Sequence, residues 1–476
     1  MRQIRKNVLY NVLLNVARAL FPLITAPYLS RVLEPEGIGL SDFAMYYAGF
    51  FAMAALLGIP THGVREVAKK RGDQAALQDA VNQLFSISAL TTVLSTIIYV
   101  ATLLLVGRFN GNLLLFAVAG ITLYLAPIHV DWYFQGMERF RYITLRSLAI
   151  KAVSVVCLFL LVRTKADVTI YVLLSALTVV ANDLWNIMRM RRDGIRLRLT
   201  FKGLKPHMRP VLVLFLSLLA YSVYTMLDRE ILGFLSGYEQ VGYYGRAINV
   251  SRTLLAALTS ISIVIIPRVA QSAESNNIGD IQDLVGKSVS VVSFFSVPMF
   301  VGLACIAPVF VILFYGDMFG GTVVPLMIAG LLIPVVAVSN ITTDQILIGM
   351  GQDVLFFCSI VCGAVSNVVL NFILIPRYAA VGAAIAAVAS EVLVLIAALL
   401  SVRFKTRVRF PYRAGDFLKS LAGSALFIPL LLVLKHYLSG WALTIVFVVS
   451  GVVVYFAVQL LLRHSAVSLI KSEFKR

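Results

Sequence analysis

Basic side chains inside otherwise apolar stretches are the residues of this sequence best placed to do chemistry. A charged side chain at the bilayer centre costs at least ~2.5–3.5 kcal/mol on insertion scales, so such groups normally face a hydrated, protein-lined interior. Seven basic residues fall within predicted membrane spans, namely Arg18, Arg146, Lys151, Arg229, Arg246, Arg252 and Lys287. Because several guanidinium and ammonium groups can share one phosphate or uronate, this set predicts an anionic ligand.

Helical spacing places several of these basic residues beside other polar groups. Arg18 lies three residues after Asn15 in the first span, and Arg246 and Arg252 each lie three residues from Asn249 in the eighth. Residues three or four apart share one helical face, so the first, seventh and eighth spans carry polar stripes. The predicted substrate-binding residues are Asn11, Asn15, Arg18, Arg31, Lys151, Tyr221, Tyr224, Arg246, Asn249 and Arg252.

A structural explanation competes with ligand binding for each embedded charge. Long basic side chains near a span end can reach the membrane interface or form interhelical ion pairs. This alternative applies to Arg31, Arg146 and Lys287, which lie within about a turn of a predicted end. Arg18 and Arg252 lie deeper, so the sequence favours a functional role for them.

Acidic residues near the spans form a second candidate set, for ion coupling or gating. These residues are Asp131, Asp228, Asp344 and Glu391, together with Arg65 and Glu66 in the second predicted hairpin. Each carboxylate could carry a proton, pair with a basic group or close a helix, and the sequence leaves these alternatives open. We predict no cofactor beyond a coupling ion, H+ or Na+, and no metal site, because the five histidines lack ligand spacing.

The elements that must position these residues are membrane helices. The chain has 476 residues, of which 60% are hydrophobic and only 13% charged, too little polar surface for a soluble fold of this size. Apolar runs of about 20 residues, long enough to cross a bilayer, recur along it. The predicted spans are 8–31, 38–60, 80–106, 112–134, 143–162, 168–188, 211–234, 241–266, 285–314, 322–347, 354–375, 381–402, 417–435 and 441–462. The fold class is therefore an all-α membrane protein of about fourteen transmembrane helices.

The charge distribution predicts the orientation of these helices. Of the 41 Lys and Arg residues, 28 fall in alternate hairpins and both tails, 6 on the opposite side and 7 within spans. The side rich in Lys and Arg is the cytoplasmic one, so both termini are predicted to be cytoplasmic. The same rule explains the net charge of +18 and the basic run 189–209 without a nucleic-acid partner.

Two short motifs indicate an internal repeat. Glu36-Gly37-Ile38-Gly39, followed by Ala44, matches Glu239-Gln240-Val241-Gly242, followed by Ala247, at an offset of 203. Asp131 and Asp344, each followed five residues later by Gly-Met, match at an offset of 213. Chance matches in an apolar sequence are the alternative. We predict an N-terminal lobe at 1–200, a parallel-repeat lobe at 201–405 around a central cavity, and a helix pair with a tail at 406–476.

Several enzymatic motifs are missing from the sequence. It contains no G-x-x-x-x-G-K-[ST] phosphate loop and no D-x-D pair for a metal-held nucleotide sugar. Every predicted external loop is short, which leaves little room for the catalytic residues of an external polymerase or ligase. We therefore predict that the protein is not an enzyme.

The first two thirds of the chain also resemble a known family. The residues that carry the resemblance are 21–39 (FPLITAPYLSRVLEPEGIG), 63–69 (GVREVAK), 131–140 (DWYFQGMERF), Asp228, 232–233 and 241–243. These stretches are similar to the oligosaccharide flippases of polysaccharide biosynthesis, of the O-antigen transporter type, within the multidrug/oligosaccharidyl-lipid/polysaccharide exporter superfamily. Glu34 departs from the family pattern, which commonly has glycine there. The last two helices match by hydropathy only.

The resemblance implies a function and a location. Such a protein moves an undecaprenyl-pyrophosphate-linked oligosaccharide, a repeat unit of O-antigen, capsule or exopolysaccharide, to the outer leaflet of the bacterial cytoplasmic (inner) membrane. Two six-helix lobes would open alternately to each side, beside membrane lipids and a polysaccharide polymerase or glycosyltransferase complex. Our hypothesis is that Arg18, Arg246 and Arg252 hold the headgroup. The alternatives are a cation-coupled multidrug exporter, which favours an acidic lining, a lipid II flippase, and a membrane-embedded glycosyltransferase.

Overall fold

Helices make up the secondary structure of the described part of this chain. The computed structural model describes the backbone of residues 2–275, 277–406 and 408–473; the side chains of 1–20, 220, 221, 223, 224, 260–264 and 470–476 are outside the description. Within these residues there is no β-strand, which confirms the predicted all-α class.

The α-helices are α1 (Arg2–Leu56), α2 (Ile59–Lys70), α3 (Gln74–Leu105), α4 (Leu113–Ala119), α5 (Ile121–Tyr124), α6 (Asp131–Gly136), α7 (Phe140–Leu161), α8 (Val168–Arg192), α9 (Lys205–Ser236), α10 (Tyr238–Glu274), α11 (Ile278–Tyr315), α12 (Val323–Ala329), α13 (Leu332–Asn340), α14 (Asp353–Lys405), α15 (Ala414–Ala425), α16 (Phe427–Tyr437), α17 (Gly440–Leu461) and α18 (Ser465–Glu473). Short 3₁₀ helices span Gly107–Asn112, Ala126–Ile128, Lys165–Asp167 and Asp317–Thr322, and a π-helix spans Ile341–Ile348.

Two of these helices are too long to cross a membrane once. At 1.5 Å per residue, the 55 residues of α1 and the 53 of α14 would each extend about 80 Å, against a hydrocarbon core of about 30 Å. Each is interrupted by one non-helical residue, Glu34 in α1 and Ala379 in α14. Both breaks fall in predicted hairpins, between spans 8–31 and 38–60 and between 354–375 and 381–402.

The described residues hold nine helical segments long and apolar enough to span a membrane. Two of these segments, of 50 and 53 residues, contain the breaks at Glu34 and Ala379. The chain is thus a multi-pass membrane protein, and the count of fourteen spans stays a prediction.

The chain forms two compact units, one ending at Met226 and the other beginning at Leu227. Their local structure repeats. In the first unit the 3₁₀ helix Gly107–Asn112 leads directly into the seven-residue helix α4, and in the second Asp317–Thr322 leads into the seven-residue α12, at a constant offset of 210. These two matched elements agree with the internal repeat, which stays a prediction.

Unusual backbone conformations recur at the same offsets as the motifs. Glu34 (φ 59°, ψ 173°) corresponds at an offset of 203 to Gly237 (φ 94°, ψ 170°). Glu138 (φ 56°) corresponds at an offset of 213 to Gly351 (φ 69°). Positive φ at high ψ is almost confined to glycine, since a Cβ atom clashes with the backbone there. Glu34 and Gly237 therefore share one turn geometry, and Glu138 and Gly351 share a positive φ, although one residue of each pair is a glutamate and the other a glycine.

Tight packing explains part of the motif 63–69 and part of the motif 131–140. A Cβ atom added at Gly63 on α2 would lie 2.5 Å from the Trp132 ring, and one at Gly136 on α6 would lie 2.6 Å from the Val67 side chain. Only glycine lets these two short helices approach so closely. This contact fixes α2, which carries Arg65 and Glu66.

The basic segment between the sixth and seventh predicted spans is attached to α3. We call residues 193–204 the strap. Gln78 donates from Nε2 to the Arg196 carbonyl (2.6 Å) and accepts from the Arg196 N–H (2.8 Å). Asn82 Oδ1 accepts from the Arg198 N–H (3.0 Å), and Ser86 Oγ from the Thr200 N–H (2.8 Å). Four residues of a helix rise about 6 Å, close to the length of two extended residues. Every fourth residue of α3 therefore meets every second residue of the strap.

Candidate functional site

Five predicted substrate-binding side chains lie outside the described residues, so their predicted roles stay predictions. They are Asn11, Asn15, Arg18, Tyr221 and Tyr224.

The two other basic residues predicted in the first unit differ in exposure. Lys151 on α7 is half-buried, and its Nζ lies 5.5 Å from the centroid of the Phe21 ring. Arg31 is exposed, and its Nη1 donates to the Pro27 carbonyl (3.2 Å) one turn earlier. Lys151 thus makes a cation–π contact and Arg31 a hydrogen bond to its own helix, and the substrate-binding role of both stays a prediction.

A buried ion pair in the first unit joins Asp131 to Arg146. The Arg146 side chain is only 1% exposed, and its Nη2 lies 2.9 Å from Asp131 Oδ1. On α8, Asn182 Oδ1 accepts from Arg146 Nε (3.1 Å), while Asn186 accepts from Arg146 Nη1 and donates to Asp131 Oδ1 (2.6 Å). Arg146, for which sequence analysis left interface contact and pairing open, is therefore paired. Its guanidinium balances the charge of Asp131.

A second acidic group belongs to the same cluster. His129 Nδ1 lies 3.0 Å from Asp183 Oδ1, and the histidine side chain is partly exposed whereas Asp183 is buried. With His129 neutral, the two carboxylates and the one guanidinium of Arg146 leave a net negative charge, which a proton on His129 would balance. The cluster can therefore bind a proton in a low-dielectric environment.

Arg246 is the buried cation of the predicted eighth span. It is 9% exposed, its Cζ lies 5.6 Å from the centroid of the Tyr315 ring, and its Nε has no hydrogen-bond partner among the described residues. No carboxylate of the described chain lies within 4 Å of it. Asn249 and Arg252 on the same helix are exposed, and Asn249 Oδ1 accepts from Arg229 Nη2 (2.8 Å).

Asp228 is buried and accepts hydrogen bonds from neutral polar side chains. It is 3% exposed; Tyr244 donates from its hydroxyl to Oδ2 (2.5 Å) and Asn371 from Nδ2 to Oδ1 (2.7 Å). Asn367 Oδ1 accepts from the same Asn371 amide (3.1 Å), and Asn371 Oδ1 has no partner among the described residues. Oxygen atoms therefore gather around one carboxylate, an environment that suits a proton or a small hard cation.

Sequence reasoning missed the asparagines that surround both acidic groups. Asn182 and Asn186 on α8, like Asn367 and Asn371 on α14, lie four residues apart in an apolar span. Such a pair shares one helical face, and amide side chains in hydrocarbon require partners. This spacing is a signal in the sequence that could have identified both clusters.

The remaining predicted coupling residues are dispersed. Asp344 is half-buried in the π-helix, accepts from the Thr343 hydroxyl (3.1 Å), and has no basic group within 4 Å among the described residues. Glu391 is half-buried on α14, and Arg65 is exposed on α2. Partial burial acts to raise the pKa of Glu66, but hydrogen bonds from Lys69 (3.1 Å) and Lys70 (3.2 Å) outweigh it and lower that pKa.

Two buried histidines connect α2 to the start of α9, outside the predicted spans. His62 Nε2 lies 2.8 Å from His207 Nδ1, and His207 Nε2 lies 2.9 Å from Gln83 Oε1. Because the amide oxygen accepts only, the neutral tautomers place a proton on His207 Nε2 and on His62 Nε2. Burial lowers the pKa of both imidazoles, and among nearby charges Glu66 opposes this effect while Lys70 adds to it.

The lowered histidine pKa values predict destabilisation in mild acid. Below about pH 6.5 the unfolded chain binds more protons at His62 and His207 than the folded chain does, so the free energy of unfolding falls as pH falls. We expect the Tm in detergent to drop between about pH 7.5 and 5.5, and this slope to decrease in the variant H62Q/H207Q. The exposed His436 provides the control H436Q, which should keep the full slope. A double variant as acid-sensitive as the native chain would contradict the prediction.

Solved structures define the class of protein to which this fold belongs. A lipid II flippase, MurJ, in an inward closed conformation superposes with a TM-score of 0.75 at 14% identity, covering 98% of this chain and 100% of that chain. An inward-facing multidrug resistance MATE family transporter gives a TM-score of 0.61 at 15% identity, covering 81% and 94%. At these identities the likeness shows the fold alone. The chain has the all-helical fold of these membrane transporters.

A family model assigns the chain more narrowly. The model described as "Polysaccharide biosynthesis protein" matches residues 4–273, and the chain belongs to this family. Two relatives bear the name "Putative O-antigen transporter". The one from Escherichia coli (strain K12) is 26% identical over 428 residues, covering 84% of this chain and 97% of the relative. The one from Shigella dysenteriae is 23% identical over 407 residues, covering 84% and 100%. The resemblance found in the sequence is confirmed.

Proposed function

We propose that this protein is a flippase for an undecaprenyl-pyrophosphate-linked oligosaccharide, which it moves from the cytoplasmic to the outer leaflet by alternating access. Family membership and relatives named as O-antigen transporters support this function. The observation that carries it is Arg246, a buried guanidinium in a membrane helix with no carboxylate within 4 Å among the described residues. Burying a cation is costly unless an anion compensates it, and a diphosphate supplies that anion.

Arg18 and Arg252 complete the proposed headgroup site. In this proposal lobes 1–200 and 201–405 enclose a basic cavity, and both termini lie on the cytoplasmic side of the bacterial inner membrane. Relocation breaks no covalent bond, so the protein acts as a transporter rather than an enzyme. A polymerase or glycosyltransferase would supply or use the transported glycan.

An apolar cavity in the second unit supports a lipid-linked substrate. It has a volume of about 360 Å³ and lies between α11 and the C-terminal helices, with Phe294, Phe427, Phe447 and Tyr455 among its lining residues. Such a cavity suits a hydrocarbon chain, because binding the chain removes its apolar surface and that of the aromatic and aliphatic lining from water. A polar ligand would find no polar partner there.

We propose that Asp228 binds the coupling ion, H+ or Na+. A carboxylate among neutral donors and amide oxygens can exchange an ion without rearranging an ion pair. Asp131 differs, because Arg146 already neutralises it.

Replacing Arg246 tests the function directly. We expect R246A to lower the rate of headgroup appearance on the outer leaflet about 10- to 100-fold, the range that loss of one charge-assisted hydrogen bond to a phosphate supports. R246K keeps the positive charge but loses the planar, forked guanidinium, so its transport rate should lie between those of R246A and the native chain. The assay uses vesicles containing the chain and labelled undecaprenyl-pyrophosphate oligosaccharide, with a membrane-impermeant reagent that modifies exposed sugars.

The exposed Arg268 on the same helix provides the matched control, R268A, which should transport at the native rate. Native activity of R246A would remove Arg246 from the mechanism. Parallel vesicles with lipid II or a cationic drug test the rival transport functions, and product analysis of the labelled lipid tests a transferase. The proposal would be overturned if lipid II or the cationic drug moved faster than the labelled oligosaccharide lipid. A change in the length of the labelled glycan would overturn it too.

A further inference from the structure

The strap presents basic and apolar side chains on its exposed side. Arg196, Arg198 and Lys202 are exposed, and so are Leu199 (63%) and Phe201 (73%). Its acidic residue, Asp193, pairs with Arg139 at the other end. Large exposed apolar groups are unfavourable in a water-facing loop of a soluble region, so their presence here requires an explanation.

The contacts with α3 order these side chains by depth. Arg196 pairs with Gln78, Arg198 with Asn82 and Thr200 with Ser86, so the strap follows α3 over about 12 Å along the helix axis. The third predicted span begins at residue 80, and Gln78 precedes it whereas Ser86 lies within it. The arginines are therefore nearest the end of the helix that is predicted to be cytoplasmic. Leu199 lies between the levels of Asn82 and Ser86, and Phe201 follows the residue that pairs with Ser86. The strap then turns back, because a Cβ atom added at Gly203 would lie 2.3 Å from Gln83 Nε2, and Lys202 lies on this return.

We propose that the strap is a binding surface for anionic phospholipids of the cytoplasmic leaflet. Arg196, Arg198 and Lys202 would contact the phosphate groups, and Leu199 and Phe201 the beginning of the acyl chains. Charge complementarity selects this partner, since the exposed side carries three positive charges and that leaflet surface is negative. Along α3, the order from the two arginines to Leu199 and Phe201 matches the order from headgroup to hydrocarbon. The proposal involves no transported substrate and is independent of the proposed function.

The attachment of the strap makes the surface testable by side-chain substitution. The ladder to α3 uses the backbone N–H groups of residues 196, 198 and 200 and the carbonyl of 196, so neutral side chains at 196 and 198 leave it intact. We therefore expect R196Q/R198Q/K202Q to fold with the strap in place.

The experiment titrates the purified full-length chain, in a neutral detergent at fixed salt, with phosphatidylglycerol and counts bound lipids by native mass spectrometry. We expect the triple variant to raise the concentration for half-occupancy roughly 100-fold, since each basic residue near an anionic surface contributes about a factor of five. Phosphatidylcholine binding should not change. The control R108Q/R163Q/K165Q removes the same charge from loops predicted on the opposite side, and should shift half-occupancy less than about 2-fold.

A second variant, L199S/F201S, tests the apolar part without altering charge. It should abolish the preference for long-chain over short-chain phosphatidylglycerol that the native chain shows. Native-like lipid binding by the triple variant would overturn the proposal, as would an equal loss in the control. An unchanged preference of L199S/F201S for long-chain phosphatidylglycerol would also overturn it, and would indicate that the exposed side of the strap binds a protein instead.

Discussion

Substituting Asp228 by asparagine abolishes the dependence of transport on an ion gradient, and the remaining rate falls at least about 10-fold. The substitution keeps the volume of the side chain and removes the charge that a proton or cation would bind. Tyr244 and Asn371 both donate to this carboxylate, so an amide in its place also faces two donors with only one acceptor oxygen. The measurement compares headgroup translocation in vesicles with an imposed pH gradient, an imposed sodium gradient and no gradient.

The exposed Asp353, at the first turn of α14, provides the matched control. D353N should respond to the same gradient as the native chain and at a similar rate. The two gradients distinguish H+ from Na+ as the coupled ion. A D228N variant that still responds to a gradient would place the coupling elsewhere, with Asp344 the next candidate because no basic group lies within 4 Å of it among the described residues.

Substituting Arg146 by alanine destabilises the first unit by about 3–5 kcal/mol, the range expected when one partner of a buried ion pair is removed. Asp131 would then keep a negative charge without its guanidinium, and three hydrogen bonds to asparagines and the carboxylate would be lost from α7. The measurement is the Tm of the purified chain in detergent, followed through tryptophan fluorescence or light scattering.

The exposed Arg141 on the same helix provides the comparison, and R141A should keep a Tm close to the native one. Adding D131N to an R146M background removes both charges and should recover most of the lost stability, because the uncompensated carboxylate causes most of the cost. Equal Tm values for R146A and R141A would contradict the buried pair.

Hydropathy and loop charge were sufficient to predict the fold class, because a bilayer imposes one length and one composition on every span. They also located the hairpins at Glu34 and Ala379. They did not reveal that α2 would be a separate packed helix. That helix depends on Gly63 meeting Trp132, a contact between residues about 70 positions apart in the sequence.

The candidate sites were less predictable than the fold. Spacing along one helix identified Arg246 as an embedded cation, but it did not show which embedded charges pair. Arg146 and Asp131 lie 15 residues apart on different helices, so only tertiary packing shows that they neutralise each other. The ordered attachment of the strap to α3 could not be predicted either. A basic loop between two spans satisfies the rule that cytoplasmic loops are positively charged, whether the loop is ordered or not.

The matched turns at Glu34 and Gly237 have a consequence for the origin of the two units. The predicted internal repeat would account for one backbone geometry occurring twice, and Glu34 adopts it at a conformational cost of about 1–3 kcal/mol. The two units differ in their buried charges. Asp131 is neutralised by an arginine in one copy, whereas Asp228 and Arg246 lie buried in the other with no ion pair among the described residues. The second unit therefore holds the buried charges for both proposed ligands, the anionic headgroup and the coupling ion, whereas the first unit holds a carboxylate that is already compensated.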